Sequence, residues 1–121
     1  MRESGEMYLE TIHVLSKERA VVRSIDVADY MNFSKPSVSR AVNRLKDDGY
    51  LDMSPEGFLT LTSKGLEVAQ TIYERHVVLT KILVKLGVSE GTAAEDACKI
   101  EHDISAETFE ALKKYVAGQI D

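Results

Sequence analysis

Apolar positions recur with a helical period over most of this chain. Tyr8, Ile12 and Leu15 fall on one stripe, with Met7 and Leu9 at its flanks, which predicts a first helix over Glu3–Lys17. Ser24 suits the N-cap of a short helix ending at Met31, with Val27, Ala28 and Met31 inward. "NFS" (Asn32–Ser34) reads as a turn. Ser34 then caps a third helix, with Pro36 just inside its start, where a missing N–H costs little. That helix runs to about Asp48 and stops at Gly49. Two short runs follow, Leu51–Met53 and Phe58–Leu61, flanking the turn residues "SPEG" as in a β-hairpin. Helical periodicity returns from Thr62 to Gly87, from Ser89 to about Ile104, and from Ser105 to about Ala117. There are no repeats and no low-complexity segments.

Helix, turn, helix and a two-stranded ribbon is the order of a winged helix-turn-helix. The expected fold is therefore mainly α, a winged helix-turn-helix over residues 1–62 followed by a helical domain over residues 63–121. Charge strengthens the reading. Between Ser34 and Lys46 the charged residues are Lys35, Arg40, Arg44 and Lys46, with no acid among them. Arg40 and Arg44 are one helical turn apart and share a face, opposite Val38, Ala41, Val42 and Leu45. Ser34, Pro36, Ser37 and Ser39 put small groups at the end of the helix that approaches base edges, while the cations reach bases or phosphates. A solvated amphipathic helix that lacks acids is the plainer alternative. The wing tip carries Glu56 and no cation, so it adds little to phosphate binding.

The 121 residues suffice for one sizeable core, and 44% hydrophobic with 29% charged residues is ordinary for a globular protein. The net charge of −5 argues against a uniformly basic nucleic-acid binder but leaves room for a basic face. No apolar run approaches the ~18 residues of a membrane span, and "MRESGEMYLE" lacks the apolar core of a secretory signal. One cysteine makes no internal disulfide, and a reducing cytoplasm is the expected compartment.

That cysteine lies in "EDACKIEHDIS". Cys98, Glu101 and His102 stand at i, i+3 and i+4, so they project from one face of a helix. Thiolate, carboxylate and imidazole are the donors that divalent transition metals take. Further donors are available from Met7 and Glu10, one turn apart on the first helix, and from His76 in "YERH". The plainer readings are a buried cysteine acting as a small hydrophobe, a core methionine and a solvated Glu–His pair. A catalytic Cys98–His102 pair has no third group to orient the histidine and no oxyanion loop, so no enzyme is expected.

"EMYLETIHVL", "SKPSVSRAVNRL", "LTSKG" and "DACKIEHDIS" together resemble the DtxR/MntR family of metal-dependent transcriptional repressors of bacteria and archaea, over nearly the whole chain. The resemblance implies a homodimer, with the C-terminal helices forming both a dimerisation and a metal-binding domain. Met7, Cys98, Glu101 and His102 match the activating site of the iron-responsive branch. Glu10 matches a ligand of the manganese-responsive branch, and His76 is a ligand position in both. Thr80 and Ala94 stand where an ancillary site has a carboxylate and a histidine; Glu95, one position along, is a weaker candidate. Many relatives append an SH3-like domain that this short chain is expected to lack. The resemblance further implies activation by a metal that joins the two halves, and recognition of a palindromic DNA operator. Sulfur donors favour Fe(II), with Mn(II) next and Co(II), Ni(II) or Zn(II) as surrogates. The alternative is a winged-helix regulator that metal does not gate.

Overall fold

The computed structural model describes residues 3–120. Its elements are α1 (Glu3–Glu18), α2 (Ser24–Met31), α3 (Lys35–Asp47), β1 (Leu51–Met53), β2 (Leu59–Leu61), α4 (Ser63–Lys85), α5 (Glu90–Ile100) and α6 (Ala106–Ile120). By packing, the chain forms two compact units that divide inside α4, between Gln70 and Thr71.

In the first unit, α1 packs against α2, α3 and β2, and α3 packs against β1. The core gathers the expected apolar stripes: Leu9, Ile12, Val27, Val38, Val42 and Leu51 are fully buried. Ser34 caps α3 by accepting from the Ser37 N–H at 3.3 Å. Gly49, at φ +84°, ends α3: its N–H donates to the Lys46 carbonyl and the Tyr50 N–H donates to that of Leu45. The wing is antiparallel, with Leu51 opposite Leu61 and Met53 opposite Leu59.

The start of α4 grips the loop after α3. Thr62 donates its hydroxyl to the Gly49 carbonyl at 2.7 Å and accepts from the Gly65 N–H at 3.2 Å. Lys64 donates to the Asp48 carbonyl at 3.2 Å, and its ammonium sits 4.2 Å from the Tyr50 ring centroid. Gly65 is buried against the Tyr50 backbone, where a side chain has no room.

The second unit holds the rest of α4 with α5 and α6, and buries Ile72, Leu79, Ala93, Ala97 and Phe109. Gly87, at φ +104°, ends the run as expected: its N–H reaches the Val84 carbonyl and the Val88 N–H that of Leu83. Ser105 caps α6, accepting from the Thr108 N–H at 3.1 Å.

Three local expectations need correction. The N-cap of α2 is Arg23, and Asp26 accepts its backbone N–H at 2.9 Å; Ser24 is already helical. Phe58 belongs to the wing turn, where its N–H and carbonyl both bond to Ser54. Most consequentially, α5 stops at Ile100 instead of Ile104. The Glu101 carbonyl, which a continuing helix would pair with the Ser105 N–H, accepts a side-chain donor from Arg75 instead.

Candidate metal centre and DNA-binding face

In the second unit two candidate imidazoles approach the Glu101 carboxylate. Glu101 caps the end of α5 and is fully buried. His76 projects from α4 and places Nδ1 2.9 Å from Glu101 Oε2. His102 begins the turn after α5; its side chain is fully buried, with Nε2 3.4 Å from Glu101 Oε1. Two imidazoles thus flank one carboxylate. The two imidazoles approach opposite oxygens of the carboxylate at hydrogen-bond and ion-pair distances, and nitrogen and oxygen donors are of the kind a divalent transition metal takes.

The remaining candidates divide. Cys98 is exposed on α5, so it is not the small core hydrophobe that a lone cysteine often is. Glu95 is exposed on the same helix. Met7 and Glu10 are half-buried on α1, in the first unit, and Met7 stands outside its core cluster. The burial of Glu101 and His102 also removes the solvated-pair reading. α5 ends at Ile100: Cys98 lies on regular helix, Glu101 is its cap with backbone still in helical geometry, and His102 follows it.

The candidate DNA contacts gather on α3. Lys35, Pro36, Ser39, Arg40, Arg44 and Lys46 are exposed, as is the capping Ser34, and Ser37 is half-buried. Arg40 reaches back to Ser37 Oγ at 3.4 Å, and Ser34 donates to the same oxygen at 2.9 Å. The Arg40 charge is felt by Tyr8, whose pKa burial raises and Arg40 lowers, burial being the larger effect. Arg44 and Lys46 lie in the last turn of α3, where cations also suit the helix dipole.

Sequence reasoning passed over Arg75, Lys64 and Gly65. The last two lie in "LTSKG" but received no role. Arg75 acts across 26 positions on Glu101, a separation no local pattern encodes.

The model of the iron dependent repressor N-terminal DNA binding domain matches residues 1–59, and that of the same family's metal binding and dimerisation domain matches residues 62–118. The chain belongs to the iron-dependent repressor family. Its functional class is accordingly metal-dependent transcriptional regulation through DNA binding. Family relatives include an uncharacterized HTH-type transcriptional regulator of Methanocaldococcus jannaschii, 36% identical over 96% of this chain and 94% of its own length. The transcriptional regulator MntR of Escherichia coli is 35% identical over 94% of this chain and 74% of its own. Among solved structures, the manganese regulator SloR superposes with a TM-score of 0.83 at 27% identity, over 93% of this chain. The chain spans about half of SloR, 53%. Among the described residues, no helix is long and apolar enough to cross a membrane.

Proposed function

We propose that this chain is a homodimeric, cytoplasmic repressor that binds a palindromic operator when a divalent metal binds at Glu101 with the neighbouring candidate ligands His102 and His76. The observation that carries the reading is the buried Glu101 carboxylate flanked by two imidazoles. Burying a carboxylate costs several kcal/mol unless charge compensates it, of order the effective penalty for a buried ion. A bound divalent cation supplies that compensation and ties the ligands together. Met7, Glu10 and Cys98 complete the proposed set, with Glu95 as a weaker addition; their support is the sequence pattern of the family. DNA binding is assigned to residues 1–62, and metal binding with dimerisation to residues 63–121.

On the DNA side, Arg40 and the Ser34–Pro36–Ser37 end of α3 read the major groove, with Lys35, Ser39, Arg44 and Lys46 on phosphates. In the second unit Val84, Leu86, Ile100 and Tyr115 are exposed apolar side chains that a second copy would cover. Ligands that converge best in the DNA-competent arrangement shift the population towards it, to the extent of their differential affinity for metal. Thiolate and thioether favour Fe(II); the names of the MntR and SloR relatives favour Mn(II). We place Fe(II) first and Mn(II) second, with Co(II), Ni(II) or Zn(II) as surrogates. The chain is read as a regulator and not as an enzyme.

The test is an anaerobic titration of operator binding with Fe(II) and with Mn(II), using a palindromic fragment selected from random DNA. Cys98→Ala should keep the dimer and helical content yet need more Fe(II), and Cys98→Glu should move preference towards Mn(II). Identical metal-response curves for parent and both variants would remove Cys98 from the site. Operator binding indifferent to metal would favour a regulator that metal does not gate.

A further inference from the structure

One guanidinium on α4 holds the turn that carries Glu101 and His102. Arg75 Nη1 donates to the Glu101 carbonyl at 3.1 Å and to the Ile104 carbonyl at 3.0 Å. Its guanidinium carbon lies 5.6 Å from the ring centroid of buried Phe109 on α6. These carbonyls sit where α5 has stopped and helical N–H partners have run out. A cation is favoured at that end by the helix dipole as well. Arg75 and His76 are adjacent in sequence, and both converge on Glu101: one takes its backbone oxygen, the other meets its carboxylate.

We propose that Arg75 is a positioning residue of the metal centre, fixing the 101–104 turn so that the Glu101 carboxylate meets both His76 and His102 before metal binds. The inference rests on the metal-centre reading above. With the Glu101 carbonyl pinned, the peptide plane between Glu101 and His102 has one orientation, and with it the direction of both side chains. Without Arg75 two carbonyls lose their donor, and metal binding has to order the turn itself. A planar guanidinium braced against an aromatic ring is not reproduced in full by the flexible ammonium of lysine.

The test uses the full chain, its Arg75→Gln and Arg75→Lys variants, and Co(II) as the probe. Hydrogen exchange is followed at the amides of residues 101–105 without metal, alongside Co(II) affinity and the visible absorption of bound Co(II). Arg75→Gln should speed exchange in the turn while the α4 and α6 amides keep parental protection. It should lower Co(II) affinity by about 10–100-fold, the usual cost of losing a group that orients metal ligands, and alter the absorption band. Arg75→Lys should recover part of both. Parental exchange and affinity in both variants would overturn the proposal. So would a loss of protection throughout α4 and α6, which would mark Arg75 as a support of the whole unit. A parent chain that binds no Co(II) would instead sink the metal-centre reading, and the proposal with it, so the parent tells the two failures apart.

Discussion

Gly65→Ala probes the joint that braces the DNA-binding unit. The first turn of α4 passes so close to Tyr50 that an added Cβ would overlap its carbonyl oxygen and stand 2.9 Å from its carbonyl carbon. Both atoms are backbone, so no rotamer change relieves the clash; α4 or the 48–50 loop has to move. Movement strains the Thr62–Gly49 bond at 2.7 Å and the Thr62 N–H to Tyr50 carbonyl bond at 3.1 Å. Overpacking of this kind costs about 1–3 kcal/mol. Two weakened hydrogen bonds add about 0.5–1.5 kcal/mol each. The better helix propensity of alanine returns at most about 1 kcal/mol. The balance is a destabilisation of about 3 kcal/mol, within a range of about 1–6. Urea denaturation followed by far-ultraviolet circular dichroism measures it. Gly91 on α5 is the control: an added Cβ there meets nothing within 4 Å. Gly91→Ala should be neutral or stabilising by up to about 1 kcal/mol. If Gly65→Ala behaves like Gly91→Ala, the proposed close packing of α4 on Tyr50 is wrong.

Arg40→Ala should lose about 1–3 kcal/mol of operator affinity if its base contact is bidentate, and should relax preference at the base it reads. Lys46→Ala should weaken all sequences alike and flatten the salt dependence; gel-shift titrations over a salt series separate the two, and unchanged operator affinity for Arg40→Ala refutes its assignment. His13 should titrate below the ordinary 6.5, chiefly because it is partly buried and secondarily because Lys17 is near, with Glu10 opposing. Its folded pKa then lies below its unfolded one, so its contribution to stability is whole above 6.5 and lost as pH falls from there through the folded value. An NMR titration of the imidazole that finds a value at or above 6.5 contradicts this.

Element type was legible almost throughout because apolar periodicity, caps and glycine stops agreed. Ser34 with Pro36, Gly49 and Gly87 each did what their local chemistry prescribes. The three misses turn on side-chain partners that propensity does not weigh. Arg23 is a poor cap by itself, but the Asp26 carboxylate bonds its backbone N–H and so closes the start of α2 there. Phe58 has strand propensity, but the Ser54 side chain ties its N–H into the wing turn. At the end of α5 the Glu101 carbonyl is taken by Arg75, 26 positions earlier. For the same reason the meeting of His76 with Glu101, 25 positions apart, is invisible to spacing arguments, whereas the neighbouring Glu101 and His102 were visible as a pair.

Donor chemistry bears on metal choice in the proposed centre. His76, Glu101 and His102 offer nitrogen and oxygen donors alone, a set compatible with Mn(II), Fe(II) and later metals, so these three residues do not discriminate among them. In the proposed centre, discrimination would fall to the sulfur positions, and Cys98 is the informative one. It lies on regular helix, exposed, in front of the cap that holds Glu101. An exposed thiol contributes little apolar burial, so exchanging it for a carboxylate should cost little packing energy. A changed metal preference in Cys98→Glu would then report donor chemistry and not a weakened fold. Substitution of buried Glu101 lacks that separation, because it disturbs the fold and the ligand set together.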